Sequence, residues 1–346
     1  MKKLHFIFLL SFALLLCACS GGDANTEDTK AQTTVIEETE TEPETETEIE
    51  TEPETEAETE PETEPETEAA TEAWTEAPAP ETQPVYVPPA PPQMDLTVGG
   101  YNVYDPYNTR GLSTERRGYG FGIAPAGQRP GTSVSNQQYF DSLAGVDALA
   151  IDLKSSENVI YLTFDCGYEY NNNTAKILDI LAAKDVPAAF FCTMQFLRDC
   201  PQTAMRMINE GHILGNHSNT HPVFPDLTRE QMAMELYAVD AHLQSYFGYK
   251  SEYFRFPTGA YSENALELCT SVGYKNVFWS VAYDDWDTSK QKGYDYGFNT
   301  VTGRLHPGAV ILLHAVSNDN VAILADFIDY ARSLGYTFVS LDSYAW

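Results

Sequence analysis

Residues 159–165 read Val-Ile-Tyr-Leu-Thr-Phe-Asp, a run of strand-forming residues that ends on an acidic side chain. Residues 309–314, Ala-Val-Ile-Leu-Leu-His, repeat this design and end on a histidine. Strands that are apolar on both faces are typical of parallel sheets covered by helices. The two runs therefore predict an α/β protein whose strands deliver polar side chains at their C-terminal ends.

The chain around these runs alternates strand and helix patterns. Helical patterns are clearest at residues 174–184, 228–247 and 321–334, and Thr228 with Gln231 forms a capping-box sequence. Strands are predicted at residues 159–165, 186–193, 212–217, 253–257, 276–282, 309–314 and 337–340. This succession indicates a distorted or incomplete (β/α)7–8 barrel, with an open doubly wound sheet as the alternative.

The front of the chain has a different composition. The net charge of the 346 residues is −31, and residues 21–90 alone contain 23 acidic residues and one lysine. Residues 35–82 repeat Thr-Glu, Pro-Glu and Ala-Glu units, so they cannot bury enough apolar surface to offset the entropy of ordering. We predict a disordered linker over residues 19–98, with a protein-binding acidic tail as the alternative. The acidity also argues against nucleic acid as a partner, because it repels phosphate.

The first residues have the pattern of a secretion signal. Lys2 and Lys3 precede a short apolar run that ends on Leu-Cys-Ala-Cys-Ser-Gly-Gly at residues 16–22. This ending resembles the lipobox of bacterial lipoproteins, which implies a signal peptide at residues 1–18 and a lipid anchor on Cys19. An ordinary signal peptide and an uncleaved anchor are the alternatives. The lipid anchor implies a location on the extracellular face of the bacterial cell membrane.

The rest of the chain has the composition of a globular protein. Residues 99–155 are predicted to form an N-terminal extension packed on a domain at residues 156–346. Four cysteines follow residue 99, an even number that permits two disulfides but lacks the spacing of a disulfide framework. The domain is long enough to fold without them.

Two histidines follow one predicted strand. His217 and His221 are four residues apart in a turn, where both imidazoles could bind a divalent metal with open coordination positions. Local hydrogen bonding of one or both histidines is the alternative interpretation. Taken alone, a histidine pair at this spacing is more often explained by local hydrogen bonding than by a metal site.

Three other strand ends carry ionisable residues. Asp165 could accept a proton from water, or could simply cap a turn before Gly167. His314 could donate a proton if Asp285 held it charged, although a lone histidine in an apolar run is more often a core residue. Arg255 could pair with Asp165 and orient it.

Together these segments resemble the polysaccharide deacetylases of carbohydrate esterase family 4, the NodB-homology domain. The matching segments, in the usual order of the five family motifs, are Asp165, residues 217–221 (His-Ser-Asn-Thr-His), residues 255–259 (Arg-Phe-Pro-Thr-Gly), residues 285–286 (Asp-Trp) and residues 312–314 (Leu-Leu-His). The resemblance covers residues 156–346. In finer detail the chain is similar to the muramic-δ-lactam-forming de-N-acetylases of spore-forming bacteria.

The resemblance implies a metal-dependent hydrolase that releases acetate from N-acetylated amino sugars, with a divalent ion such as Zn²⁺ and no organic cofactor. It also implies a role for individual residues: Asp165 as general base, His217 and His221 as metal ligands, His314 as general acid, Asp285 as its support, Arg255 as the partner of Asp165, Thr258 and Gly259 as oxyanion donors, and Trp286 in substrate positioning.

One position departs from the family pattern. The first motif usually has a second aspartate that binds the metal, whereas this chain has Cys166 there. A thiolate could serve as a third zinc ligand. Alternatively, Cys166 is a small neutral residue that leaves the metal on two histidines and water.

The expected substrate is a cell-wall glycan, first of all the N-acetylmuramic acid of peptidoglycan. A deacetylase of chitin-like or exopolysaccharide chains is one alternative. A catalytically inactive glycan-binding wall lipoprotein, which has lost its metal chemistry through Cys166, is the other. Six matching functional residues favour an enzyme.

Overall fold

The computed structural model describes residues 96–346. The strands are β1 Leu96–Val98, β2 Tyr101–Val103, β3 Arg117–Gly118, β4 Ala148–Leu149, β5 Val159–Cys166, β6 Ala189–Cys192, β7 Ile213–Asn216, β8 Tyr253–Phe254, β9 Ala260–Tyr261, β10 Lys275–Val277, β11 Ala309–His314 and β12 Thr337–Phe338. The α-helices are α1 Gly131–Ser142, α2 Asn173–Lys184, α3 Met194–Asp199, α4 Pro201–Asn209, α5 Arg229–His242, α6 Glu263–Ser271, α7 Tyr294–Thr302 and α8 Asn318–Ser333. The predicted signal peptide and lipidation site, and the predicted linker up to residue 95, lie outside the described residues. Residues 96–98, which were predicted to end the linker, form strand β1 instead because they pair with β2.

An eight-stranded sheet forms the centre of the fold. Its strands follow the order β11, β5, β6, β7, β8, β10 and β4, with β12 paired to the start of β5, and all of these ladders are parallel. Beyond β10, Val281 forms a parallel bridge with Ile311 of β11, so the sheet curls back towards its first strand. The predicted incomplete (β/α) barrel is confirmed.

Strand β5 separates the hydrophobic core from the inner face of the sheet. All of its residues are buried, and successive side chains point to opposite faces. Leu162 and Phe164 pack into the core that includes the α2 residue Leu181. Thr163 and Asp165 instead hydrogen-bond Arg255 on the inner face. The alternation places the core on one side of the sheet and a polar cluster on the other.

The helices begin where their capping sequences predict. Thr228 and Gln231 form a reciprocal capping box at the start of α5, and the Ser262 hydroxyl accepts the Ala265 N–H at the start of α6. The single helix predicted at residues 228–247 ends as an α-helix at His242 and continues as a π-helical turn, Leu243–Phe247. Helix propensity alone does not indicate this change of hydrogen-bond pattern.

Several strands are shorter than their apolar runs. Strand β10 ends at Val277, although residues up to 282 were predicted to belong to it. The chain leaves the β8 side of the sheet there, and the Ser280 and Val281 N–H groups both donate to the Val310 carbonyl of β11. The apolar run continues because these residues remain buried, not because the strand does.

The residues before position 156 contribute directly to the sheet. Strand β4 pairs with β10, and β3 pairs with β9 next to the 255–259 segment. The β1–β2 hairpin packs against α5, where the hydroxyl of Tyr101 hydrogen-bonds the Asp240 carboxylate. The sheet therefore begins ahead of the predicted start of the catalytic domain.

Within residues 96–346, none of the helices combines the length and the apolar character required to cross a bilayer. Cys166, Cys192, Cys200 and Cys269 are free thiols, so the two disulfides that their number permitted are not formed. Burial of a large core stabilises the domain without them.

Candidate active site

A cleft of about 1110 Å³ opens at the C-terminal ends of the parallel strands. Barrels of this kind place their active sites there, because strand ends and the loops that follow them converge. The predicted site residues that line the cleft are Asp165, His217, His221, Thr258, Gly259, Trp286 and His314. Arg255 and Asp285 lie behind this surface, each bonded to one of the lining residues.

Asp165 and Arg255 form a buried ion pair. Arg255 Nη1 lies 2.8 Å from Asp165 Oδ1, and Nη2 donates to Thr163 Oγ1 at 2.8 Å. The guanidinium also stacks over Phe191, 4.2 Å from the ring centroid. Burial alone would raise the pKa of the Asp165 carboxyl, but the positive charge of Arg255 and the nearby histidines holds it below its ordinary value. Asp165 is therefore ionised at neutral pH.

His217 faces Asp165 with a defined ring nitrogen. Its Nδ1 lies 2.8 Å from the Arg255 carbonyl oxygen, which can only accept a hydrogen bond, so Nδ1 carries the proton. Nε2 then lies 3.6 Å from Asp165 Oδ2 with its lone pair available in the neutral ring. Burial lowers the pKa of His217 to about 4, which keeps the ring neutral at physiological pH.

A strained turn brings His221 next to His217. Ser218 and His221 both have positive φ, 72° and 59°, which side chains other than glycine rarely adopt. The His221 N–H donates to the Ser218 hydroxyl, and the Ser218 N–H donates to the Asn216 side chain. The two imidazole centroids are 5.0 Å apart, and burial lowers the pKa of His221 as well.

The turn is tied to the N-terminal hairpin through a chain of hydrogen bonds. The Asn216 amide donates to the Tyr274 hydroxyl at 2.7 Å, and the Tyr274 hydroxyl donates to the Asp240 carboxylate. Tyr101 of β2 donates to the same carboxylate. Residues of the N-terminal extension thereby support the turn that carries both histidines.

His314 is held on the opposite side of the cleft by Asp285. The His314 Nδ1 lies 2.7 Å from Asp285 Oδ1, and the His314 backbone N–H donates to Asp285 Oδ2 at 2.8 Å. The Asn320 amide donates to the same Oδ2, and Tyr283 donates to Asn320. Burial opposes protonation of His314, but the Asp285 carboxylate outweighs it and raises the pKa of the imidazole.

The segment after β8 presents a backbone donor to the cleft. Thr258 has a φ of 58°. The Gly259 N–H already donates a hydrogen bond to the Phe256 carbonyl oxygen. A Cβ on Gly259 would lie 2.8 Å from the Trp279 ring, so only glycine fits there. Of the two predicted oxyanion donors, the geometry favours Thr258.

Aromatic side chains line the rest of the cleft. Trp286 is 58% exposed at its rim, as suits a residue that would contact a sugar ring. Phe121, Tyr168 and Tyr296 line other parts of the surface. Phe121 belongs to the segment that follows β3, so the N-terminal extension forms part of the cleft wall.

The prediction that Cys166 is a metal ligand is wrong in this structure. Strand β5 extends through Cys166, so its side chain points away from Asp165 and into the helix-facing core with Cys192. Burial and the neighbouring Cys192 raise the pKa of the Cys166 thiol, which opposes formation of a thiolate. Cys166 does not line the cleft.

The remaining donors fit a divalent ion bound through two imidazoles. Both histidines are kept neutral, and the Nδ1 hydrogen bond of His217 directs Nε2 into the cleft. Residues 96–346 contain no compact group of three histidine, cysteine or acidic ligands. Water or substrate would therefore complete the coordination.

Two supporting residues escaped the sequence analysis. Asn216 precedes His217, and Asn320 lies six residues after His314, at a position that alone reads as the first turn of a helix. Asn216 orients Ser218, and Asn320 bonds both the Asp285 carboxylate and the His314 carbonyl. A neutral amide has no pattern that distinguishes such a role from a helix cap or a turn.

This chain is similar in sequence and fold to known proteins. The family model described as polysaccharide deacetylase matches residues 152–277. The chain is 45% identical over 188 residues to an uncharacterised protein of Geobacillus stearothermophilus, which covers 54% of this chain and 71% of that protein. It is 44% identical over 189 residues to the peptidoglycan-N-acetylmuramic acid deacetylase PdaA of Bacillus subtilis, covering 54% of this chain and 72% of the relative. The structure of Bacillus subtilis PdaA, a family 4 carbohydrate esterase, superposes with a TM-score of 0.63 and 39% identity, covering 67% of this chain and 97% of that one.

Proposed function

Because this chain belongs to the polysaccharide deacetylases of carbohydrate esterase family 4, we propose that it removes N-acetyl groups from the N-acetylmuramic acid residues of peptidoglycan. The reaction is hydrolysis of an amide that yields acetate and a free amino sugar. The name of the Bacillus subtilis relative supports this choice of sugar. Chitin-like and exopolysaccharide glycans are the alternative substrates.

One observation carries the reaction type. Two titratable groups face the same cleft, and their surroundings push their pKa values in opposite directions. Arg255 lowers the pKa of Asp165 and so favours its ionised form, whereas Asp285 raises the pKa of His314 and so favours its protonated form. This division into a base and an acid is the arrangement that amide hydrolysis requires.

The steps follow from these protonation states. A water molecule attacks the acetamide carbonyl while Asp165 accepts its proton. The negative charge that develops on the carbonyl oxygen is stabilised by the backbone N–H of Thr258. His314 then donates its proton to the nitrogen as the carbon–nitrogen bond breaks, and Asp285 stabilises the imidazolium before this transfer.

Deacetylases of this family are metal-dependent in general, and His217 and His221 are the residues that would hold the metal here. A bound divalent ion would polarise the carbonyl and lower the pKa of water at the site. We propose Zn²⁺ in particular, since imidazole nitrogens suit it well. Loss of activity on chelation, restored by Zn²⁺ better than by Mg²⁺ or Ca²⁺, is the result expected.

Acetate release by the full chain tests the proposal. The substrates are peptidoglycan with stem peptides, peptidoglycan without them, and chitin oligomers, with Asp165→Asn as the inactive control. The proposal is supported if acetate is released from peptidoglycan by the wild-type chain but not by Asp165→Asn. Faster release from chitin oligomers would assign the activity to another glycan, and binding without any release would favour a glycan-binding protein.

We also propose that a lipid on Cys19 anchors the protein at the extracellular face of the cell membrane, with residues 19–95 as a spacer towards the wall. The basis is the lipobox resemblance and the acidic repeat sequence. Labelling with a fatty acid analogue should mark the wild-type chain but not Cys19→Ala. Equal labelling of both would contradict the anchor.

A further inference from the structure

Arg304 is a cation in the cleft without an acidic partner. It follows α7 directly, and among the cleft-lining residues of the described chain it is the only lysine or arginine. Its Nη1 donates to the Ala282 carbonyl oxygen at 2.5 Å. A carbonyl orients a guanidinium but carries no charge to neutralise it, so the positive charge remains available to a ligand.

The other cations around the cleft differ from Arg304 in this respect. Arg255 pairs with Asp165, Lys290 with Asp287 at 2.9 Å, and Lys292 with Asp284 at 3.2 Å. Arg304, in contrast, forms no ion pair with any residue in the range 96–346. The three acidic side chains that line the cleft, Asp165, Asp284 and Asp287, are thus each paired with another cation, and none of them neutralises Arg304.

The position of Arg304 suits recognition next to the reacting group. Ala282, whose carbonyl oxygen accepts the Arg304 hydrogen bond, lies three residues before Asp285. The Cα atoms of Ala282 and Asp285 are therefore at most about 11 Å apart. On its other side Arg304 lines a smaller depression together with Ile123, Ala124 and Pro125 of the N-terminal extension. Arg304 is therefore bonded to the segment that leads to Asp285 and also lies next to the N-terminal extension.

We propose that Arg304 binds a carboxylate carried by the glycan and so selects muramic acid over uncharged N-acetylated sugars. The inference rests on the proposed function, and it names the feature of the substrate that is recognised. The planar guanidinium matches a carboxylate in geometry and charge. Muramic acid bears such a group on its lactyl ether, and stem peptides bear others.

The test compares Arg304→Gln with the wild-type full chain on three substrates: peptidoglycan strands without stem peptides, strands with them, and chitin oligomers. Loss of a charge-assisted hydrogen bond should raise KM for the carboxylated strands roughly tenfold, with kcat nearly unchanged. Chitin oligomer kinetics should not change. A larger effect on strands without stem peptides assigns the lactyl carboxylate, and a larger effect on strands with them assigns the peptide carboxylate.

Two variants serve as controls. Arg304→Lys keeps the charge and should retain most of the selectivity for muramic acid strands. Lys290→Gln removes an exposed cation that is already paired with Asp287, and this variant should have the selectivity of the wild type. Equal loss on chitin oligomers and muramic acid strands would show that Arg304 has only a structural role and would overturn the proposal. Unchanged kinetics on all three substrates would overturn it too.

A binding measurement separates this proposal from the proposed function. The affinities of N-acetylmuramic acid and N-acetylglucosamine for the full chain are compared by titration calorimetry, which needs no turnover. A preference for N-acetylmuramic acid that weakens in Arg304→Gln and at high salt supports recognition even if no acetate is released. Equal affinity for the two sugars would contradict it even in an active enzyme.

Discussion

The two sides of the cleft hold their key side chains in different ways. Asp165 is buried against Arg255, and every neighbour on that side stabilises its negative charge. His314 is about a quarter exposed, and its proton is stabilised chiefly by the carboxylate of Asp285. The base side is the buried ion pair of Asp165 and Arg255, which has several hydrogen bonds. The acid side is the more exposed pair of His314 and Asp285, in which the buried Asp285 orients His314. One fold thus favours an ionised base and a protonated acid in the same cleft.

The largest expected effect is that of Asp165→Asn. Loss of general base catalysis should lower kcat about 10²- to 10⁴-fold. The variant should also be less stable, because removal of one partner from a buried ion pair costs about 3–5 kcal/mol. Acetate release and thermal unfolding measure the two effects. A variant with near wild-type kcat would mean that Asp165 is not the base, whatever its stability.

Asp285→Asn should alter the acid side through pH. His314 acts when protonated, so the rate falls as pH rises through its raised pKa. Without the carboxylate charge that pKa drops, and the alkaline fall in kcat should begin at lower pH. The pH profile of kcat measures this shift, and His314→Gln should abolish the alkaline limb altogether. An unshifted profile would mean that Asp285 does not control this proton.

Stability should depend on pH with opposite signs on the two sides. The folded-state pKa of Asp165 is lowered, so its contribution is present above the unfolded value of about 3.9 and is lost as pH falls through the folded value. The folded-state pKa of His314 is raised, so its contribution is present below the unfolded value of about 6.5 and is lost as pH rises through the folded value. Melting temperatures of Asp165→Asn and His314→Gln, each compared with wild type from pH 3 to 9 by calorimetry, should converge with wild type at opposite ends of that range.

Tyr101→Phe should have the smallest effect, and it should alter only the side of the cleft that holds Asp165 and the two histidines. It removes one donor to Asp240 and so loosens the hydrogen-bond chain through Tyr274 to Asn216. Because the change lies beyond the immediate neighbours of the histidines, zinc affinity should fall by less than about tenfold. Competition with a chelating dye measures the affinity. The exposed Tyr107→Phe serves as control, and a shifted alkaline limb of kcat in Tyr101→Phe would contradict the one-sided effect.

Much of the fold follows from local patterns. Strands β5 and β11 end where their apolar runs meet Asp165 and His314, within one residue, and α5 begins at its predicted capping box. These features depend on neighbours in sequence. The end of β10 at Val277 was predicted five residues too late, because burial continues after strand pairing stops.

The misplaced Cys166 shows how sensitive a site is to the last residue of a strand. Had β5 ended at Asp165, the chain could have turned and directed the thiol towards the histidines. Because pairing continues through Cys166 to Cys192 of β6, alternation directs it into the core. A pattern of apolar residues does not settle the final pair of a ladder.

Sequence by itself determined the strand–helix order, the acidic front of the chain and the polar residues at the strand ends, because each depends on local composition and periodicity. Only the tertiary structure decided which of these residues meet. Asp165 pairs with Arg255 90 residues away, and Asn320 supports an acid pair that no motif includes. The unpaired charge of Arg304 and the wall contributed by Phe121 likewise arise from contacts between distant segments. Sheet order and loop paths determine such contacts, and they are properties of the whole chain rather than of any segment.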